Sequence, residues 1–221
     1  MNVTDLVDQY RSRTHDIERP YLWSDDEIYG YIDYAQRKLI RPFGGIRESQ
    51  SKYCTLIIPA TVNYVKLDPI ILKIHRASIP ENPVAGVGPG HTGIVRLLDR
   101  VHTVALAKER AGDMFALVFG EDDYGVRPVY VPNFDTTVNL QISRLTIPIT
   151  GEASKLEIRD EWRYPLIYGM LEQGYRKQDA ETRNDKLSSE NGEYFAAEID
   201  RASKDTSLRR AAMTGVQYGG I

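Results

Sequence analysis

The glycine-rich segment 86–93, with the sequence GVGPGHTG, is the stretch whose residue types could most readily bind a ligand. Loops of this kind can hold a phosphate group with their backbone N–H groups. This one lacks the Lys-Ser/Thr ending of a P-loop, and Pro89 removes one N–H donor. We therefore expect a surface loop or an interface arm. The alternative is a hydrolase or nucleotide-binding enzyme that uses this loop with His91 or His102.

Other residues that could act as nucleophiles or metal ligands are scattered along the chain. Cys54 begins an apolar segment and has no recognisable base to activate it. Asp25-Asp26 falls in the first turn of a predicted helix, where negative charge is favourable in any case. No histidine belongs to an HExxH motif or an i, i+4 pair; the four are His15, His75, His91 and His102. The sequence therefore predicts no catalytic residue, no cofactor and no metal site.

The composition argues against several classes of protein. A formal net charge of −3 is unlike that of a domain that binds nucleic acid by neutralising phosphates. One cysteine cannot form an internal disulfide, and the N-terminal residues lack the apolar segment of a secretory signal. No run approaches the roughly 20 apolar residues that a membrane span requires. We expect a soluble protein, made in a reducing cytoplasm, with no membrane partner.

The clearest element is a helix over Ser24–Leu39. Ser24 and Glu27 have the spacing of a capping box, in which each side chain binds the other residue's backbone N–H. Pro42 and the glycines after it end the helix. One apolar stripe faces the interior; its members are Ile28, Tyr31, Ile32, Ala35 and Leu39.

Helical spacing predicts three further helices, over residues 3–14, 165–183 and 187–203. Pro165 suits the first position of the second of these, although a start near Asp160 with a kink at Pro165 is an alternative. The last helix is expected to turn one face inward; that face comprises Leu187, Tyr194, Phe195, Ile199 and Ala202.

The middle of the chain has the pattern of short strands rich in β-branched residues and separated by turn residues. The predicted strands are 53–58, 63–67, 70–79, 114–119, 127–131 and 137–149. In the last of them, Val138, Leu140 and Ile142 alternate with polar residues, as in a half-buried antiparallel strand. Residues 94–112 fit either a helix or strands, and periodicity does not decide between them.

These elements predict an α+β fold in which a helical bundle is built from both ends of the chain. We expect residues 1–50 and 155–205 to form the bundle, and residues 51–154 to form an inserted antiparallel β subdomain. Residues 206–221 show no amphipathic face and are expected to form an extended C-terminal tail.

Fourteen tyrosines suggest more aromatic surface than the core can use. Tyr29 and Tyr34 lie outside the central stripe of the Ser24–Leu39 helix, and exposed aromatic residues are common at protein interfaces. They are therefore candidate interface residues, unless their rings only cover the edge of the core. In the tail, Arg209, Arg210 and Tyr218 are candidate anchors for a partner, unless this terminus is disordered.

Several short motifs, taken together, resemble one protein family. Those near the N-terminus are Leu6-Val7, Tyr10-Arg11, Pro20-Tyr21-Leu22-Trp23-Ser24-Asp25 and Ala35-Gln36. Those farther along are Leu67-Asp68-Pro69, Ile74-His75-Arg76-Ala77, Ser143-Arg144-Leu145 and Tyr175-Arg176-Lys177-Gln178-Asp179-Ala180-Glu181. As a set they are similar to the head-to-tail adaptor proteins of short-tailed bacteriophages, the tail tubular protein A kind. The likeness covers most of residues 5–200, but segments 86–93 and 94–119 depart from it.

The resemblance implies a virion structural protein without enzymatic activity. Such an adaptor forms a homo-oligomeric ring, typically a dodecamer, that joins the portal protein to the tail nozzle protein and the tail fibres. It is made in the host cytoplasm, resides in the phage neck, and lets DNA pass without sequence-specific binding. The mild acidity of the chain suits such a channel, because a basic lining would bind phosphate. A host regulatory protein that binds peptides at its β edge is a further alternative.

Overall fold

The computed structural model describes residues 2–80, 95–101, 116–119, 125–129, 131–179 and 181–214. The chain divides into two compact units. The helical unit combines Met1–Gly45 with Thr146–Ile221, and the β unit is formed by Ile46–Leu145. The described residues are a mixture of helices and small sheets, which confirms the predicted α+β class.

The described part of the helical unit contains four α-helices: α1 (Val3–Thr14), α2 (Asp25–Ile40), α3 (Leu166–Gly174) and α4 (Asp185–Thr214). The predicted capping box of α2 is present, since Ser24 and Glu27 bind each other's backbone N–H. Asn2 and Asp5 form a second capping box at the start of α1. A capping box formed by residues close in sequence therefore defines the N-terminus of both α1 and α2.

Helix α2 packs against α1 and against α3, and α3 is the described helix that contacts all the others. Four of its five predicted stripe residues are fully buried, whereas Tyr31 is half-buried. The buried face is wider than one stripe, because Tyr29, Gln36 and Ile40 are also covered. Packing on two sides explains this width.

Helix α3 is shorter than predicted. It begins directly after Pro165 and ends at Gly174, where we expected helix to residue 183. The backbone N–H of Asn184 donates to the carbonyl of Tyr175 at 3.0 Å, so the chain closes a loop there. A tertiary turn therefore replaces the last predicted turns of helix.

Helix α4 is longer than predicted and corrects the expected extended tail, because its 30 residues continue to Thr214. Thr206 is buried, and Arg209 forms ion pairs with Glu161 at 3.1 Å and Asp205 at 2.9 Å. These contacts hold a segment whose own amphipathic pattern is weak. The prediction that Tyr194 faces inward is wrong, since its side chain is exposed beside the buried Phe195. Residues 215–221 lie outside the described part.

The described part of the β unit contains eight strands. They are β1 (Ile46–Glu48), β2 (Thr55–Ile58), β3 (Val65–Lys66), β4 (Ile71–Pro80), β5 (Val95–Val101), β6 (Ala116–Phe119), β7 (Gly125–Val129) and β8 (Thr136–Arg144). Their order is β1-β8-β4-β5-β6-β7-β3, and β2 also pairs with β8. Strand β8 shows the predicted alternation, with Val138, Leu140 and Ile142 buried.

Two features of the β unit differ from the expectation, and part of the segment that was left open is a strand. Strand β1 was not predicted, because its three residues are too few to show a period. The ambiguous segment 94–112 contains a strand at Val95–Val101, and residues 102–115 lie outside the described part. Strands β5 and β6 run parallel, with Asp99 opposite Ala116, so the unit is not purely antiparallel. The chain between them is long enough for the crossover that parallel pairing requires.

Candidate interaction surfaces

A buried polar network joins the end of α1 to the start of α2. The Arg11 guanidinium donates to the carboxylates of Asp16 at 2.7 Å and Asp25 at 2.5 Å. It also donates to the carbonyl of Trp23 at 3.2 Å. Asp16 accepts the backbone N–H groups of Leu22 at 2.8 Å and Trp23 at 3.4 Å. The network therefore fixes the path of the loop between the two helices.

The same loop is bound to the end of α3. The Trp23 indole N–H donates to the carbonyl of Gly174 at 3.3 Å, and the Tyr10 ring meets Trp23 edge-on. A Cβ atom on Gly174 would lie 1.9 Å from the Tyr10 hydroxyl oxygen, so only glycine fits there. Lys177 pairs with Glu27 at 2.9 Å. Motif residues near the N-terminus, Tyr10 and Trp23, therefore lie close to the motif that contains Lys177.

Glu172 of α3 links three helices. Its side chain is almost fully buried and pairs with Lys38 of α2 at 2.7 Å and with Arg176 at 3.1 Å. Its carbonyl accepts the Ser188 hydroxyl of α4 at 2.9 Å. Burial alone would lower the pKa of Lys38, but hydrogen bonds to Glu172 and Tyr34 outweigh it, and that pKa is raised. Lys38 therefore stays charged and paired.

The structure separates the two tyrosines predicted to lie at an interface. Tyr29 is only 8% exposed, so its ring is not the exposed aromatic surface that we expected. It lies on the wide buried face of α2. Tyr34 is half-buried, and the Lys38 amine lies 5.4 Å from the centre of its ring. The interface role of both residues stays a prediction.

The predicted anchors at the C-terminus are only partly within the described residues. The guanidinium of Arg209 is already paired inside the chain, with Glu161 and Asp205. Arg210 belongs to α4, but its side chain lies outside the described part, as does the whole of Tyr218. Their role as anchors stays a prediction.

An exposed aromatic group that sequence reasoning missed lies on the helical unit. We call it the tyrosine cluster; it consists of Arg13, Tyr164, Tyr168 and Tyr194. The Arg13 guanidinium lies 5.5 Å from the ring centres of both Tyr164 and Tyr168 and donates to the Tyr164 hydroxyl at 2.5 Å. The Tyr168 and Tyr194 rings are 5.7 Å apart. Tyr164 is 49% exposed and Tyr194 is 62% exposed, so the cluster faces solvent.

A signal in α4 could have revealed that Tyr194 points outward. The buried residues Ser188, Phe195 and Ala202 are spaced by seven, which marks the inner face of the helix. Tyr194 is one residue, or about 100°, away from that line. Small residues on the inner face hid the pattern, because apolar periodicity gives little weight to serine and alanine.

In the β unit, the residues considered for chemistry have structural partners. Cys54 is buried, and the His75 Nε2 atom lies 2.7 Å from the Ser143 hydroxyl. Burial alone would raise the pKa of Glu48, but hydrogen bonds from Arg144 and Ser51 outweigh it and that pKa is lowered. Within the described part of the chain, no group of three or more His, Cys, Asp or Glu residues could hold a metal ion. The glycine-rich segment 86–93, with His91, and His102 lie outside the described residues.

One family model matches almost the whole length of the chain. It is that of the SU10 adaptor protein, and the match covers residues 1–217. The chain belongs to the SU10 adaptor protein family. The family is one of phage adaptor proteins, which confirms the resemblance to phage head-to-tail adaptors. No curated protein shows significant sequence similarity to the chain.

Membership of the SU10 adaptor family identifies a structural protein of the phage virion that interacts with portal and tail components. Among the described helices of this family member, none has both the length and the apolar composition needed to cross a membrane. The match includes segments 86–93 and 94–119, which the sequence motifs left unassigned. The expected lack of enzymatic activity stays a prediction.

Proposed function

We propose that this SU10-family adaptor forms a homo-oligomeric ring, typically of twelve copies, between the portal protein and the tail nozzle protein of a phage. The observation that carries the proposal is the family match over residues 1–217. Tail fibres bind the assembled neck, and DNA passes through the ring without sequence-specific contacts. The protein has no enzymatic activity of its own and binds no cofactor.

Features of the helical unit support this proposal. A closed ring needs two different contact surfaces on each copy. Tyr34 is half-buried, so its ring can still reach a neighbour, whereas Tyr29 contributes only if α2 shifts. The last turns of α4, with Arg209 and Arg210, and the terminal residues around Tyr218 are the proposed portal anchor. The acidic balance of the chain suits a DNA channel, and a ring with a lumen lined mainly by Lys and Arg would contradict that part.

Removal of residues 207–221 tests the anchor. The truncated protein should bind portal-containing particles at least about tenfold more weakly than the full chain, because it loses the last turns of α4. Co-sedimentation with the particles measures binding. Glu193→Ala, an exposed change in the part of α4 that the truncation keeps, serves as the control, and circular dichroism checks folding in each case.

Two results would count against these proposals. Equal binding by truncated and full-length protein would exclude the C-terminal segment as the anchor. A full-length chain that stays a monomer in mass measurements, even when mixed with portal particles, would contradict the ring itself.

A further inference from the structure

The tyrosine cluster and the neighbouring Glu190 form a surface that is complementary to itself, and we propose that two copies of the chain bind each other through it. The proposed contact has two-fold symmetry. It is separate from the contacts within the proposed ring, and its partner is a second copy of this chain.

The two charged side chains of this surface, Arg13 and Glu190, lie near different members of the tyrosine cluster. Arg13 lies at one edge, against the rings of Tyr164 and Tyr168. The Tyr194 ring follows, 5.7 Å beyond Tyr168. Glu190 precedes Tyr194 by four residues in α4, so both side chains lie on one face of that helix. The rings therefore have the Arg13 cation on one side, and the spacing of α4 places the Glu190 carboxylate one helical turn from Tyr194.

Both charged groups are available to a partner. Arg13 makes no ion pair with any described residue, and a tyrosine hydroxyl and two rings hold its guanidinium in place. Neighbouring arginines differ, since Arg11 and Arg163 each have a carboxylate partner. The ion pair of Glu190 is with Lys186 at 3.9 Å, close to the limit for such a contact. Its carboxylate can therefore turn to a better partner at little cost.

A two-fold rotation matches this arrangement with itself. It places Arg13 of each copy opposite Glu190 of the other, and it places aromatic rings against aromatic rings. A uniformly acidic partner would be repelled by Glu190, and a uniformly basic partner would be repelled by Arg13. The charge pattern therefore favours a second copy of this chain over a partner of one sign.

The proposed dimer differs from the ring in its symmetry. A ring joins two different surfaces of neighbouring copies, whereas this contact uses one surface twice and is complete at two copies. A contact built on a few aromatic residues is at the small end of protein interfaces, so it should depend on concentration. The dimer is thus a state of the free adaptor before assembly.

Charge reversal on the full-length protein tests the proposal, with sedimentation equilibrium as the measurement. Arg13→Glu and Glu190→Arg should each raise the dimer dissociation constant by about 100-fold, because each substitution places like charges together twice in the contact. The double variant should return it to within about tenfold of the wild-type value, since opposite charges face each other again. Arg19→Glu is the matched control, because Arg19 also lies over a tyrosine ring, that of Tyr21, outside the cluster.

Three results would overturn the proposal: a wild-type chain that is monomeric at every concentration, an equal effect of Arg19→Glu, or a double variant that does not recover. Portal binding is measured separately with Arg13→Glu, which should bind portal particles as the wild type does. Loss of the dimer with portal binding intact therefore supports this inference without bearing on the proposed adaptor function.

Discussion

The contacts that stabilise the helical unit internally differ in kind from those that stabilise the β unit. In the helical unit, ion pairs connect elements that are far apart in sequence, such as Lys38 with Glu172 and Lys177 with Glu27. In the β unit, backbone ladders join the strands, and the buried cluster between them is apolar. Among the described residues of the β unit, Arg144 at the end of β8 forms a partly buried ion pair with Glu48.

This difference follows from where each kind of element places its backbone hydrogen bonds. A helix satisfies its N–H and C=O groups internally, so its backbone does not determine how it lies against another helix. A strand bonds to its neighbours, so the ladder itself sets the register. Polar side chains therefore help to specify the arrangement of the helices, in addition to their buried apolar contacts, whereas the ladder and apolar alternation arrange the strands. Three substitutions test how much polar and apolar contacts contribute to the stability of each unit.

The largest effect is expected from Asp16→Ala. It leaves the buried Arg11 with Asp25 as its one carboxylate partner and removes the acceptor of two loop N–H groups. The free energy of unfolding should therefore fall by about 4 kcal/mol. Tryptophan fluorescence during urea unfolding measures it, because Trp23 and Trp162 both lie in the helical unit. Asp8→Ala, an exposed change on α1, is the control. A loss no larger than the control's would show that polar contacts do not specify this unit.

A smaller effect is expected from Ile142→Ala in β8, whose side chain is fully buried. Loss of its contacts should reduce the free energy of unfolding of the β unit by about 3 kcal/mol. Amide hydrogen exchange of β4 and β8 is the appropriate measurement, since the β unit contains no tryptophan. Gln141→Ala is the control on the exposed face of the same strand. Equal loss of protection in both variants would contradict the predicted faces of β8.

The smallest effect is expected from Glu27→Gln, which keeps the cap but removes the charge that Lys177 pairs with. Burial alone would raise the pKa of Glu27, but hydrogen bonds from Lys177 and Ser24 outweigh it and hold that pKa below its ordinary 4.5. Its stabilisation is therefore present above pH 4.5 and is lost as the pH falls through the lowered value. Because the pair is partly exposed, wild type and variant should differ by less than about 1 kcal/mol at pH 7.

Urea unfolding, followed by tryptophan fluorescence at a series of pH values, measures this difference. It should shrink as the pH falls through the lowered pKa of Glu27. A difference that grows on acidification would show that the carboxylate of Glu27 is not stabilised in the folded state.

Local rules account for what could be predicted from the sequence. The capping box at Ser24, the stripe on α2 and the alternation of β8 are short-range patterns, and all three are present. The predictions failed where distant residues decide the outcome. The length of α4 depends on contacts such as Arg209 with Glu161, and the exposure of Tyr194 depends on which face of α4 meets α3.

For the candidate surfaces, too, local patterns could be predicted from the sequence, whereas the effects of distant residues could not. The high tyrosine count indicated surplus aromatic surface, but it could not tell which rings are exposed. Tyr29 is covered because α2 packs on two sides, whereas Tyr164, Tyr168 and Tyr194 come together only when the loop before α3, α3 itself and α4 are in place. The spacing within α4 could indicate its inner face, but which rings stay exposed depends on how the helices pack against one another.

The class of fold, the starts of α1 and α2, the two faces of β8 and the likeness to phage adaptors follow from the amino-acid sequence alone. Each of these depends on spacing within a few residues or on short motifs. Three other features depend on contacts between distant residues. Arg11, Trp23, Gly174 and Lys177 meet in one network, α4 continues to Thr214, and Arg13 lies against two tyrosine rings. Such contacts join residues as many as 155 positions apart in the chain. Their stability comes from burial and pairing in the folded state, which local sequence does not encode.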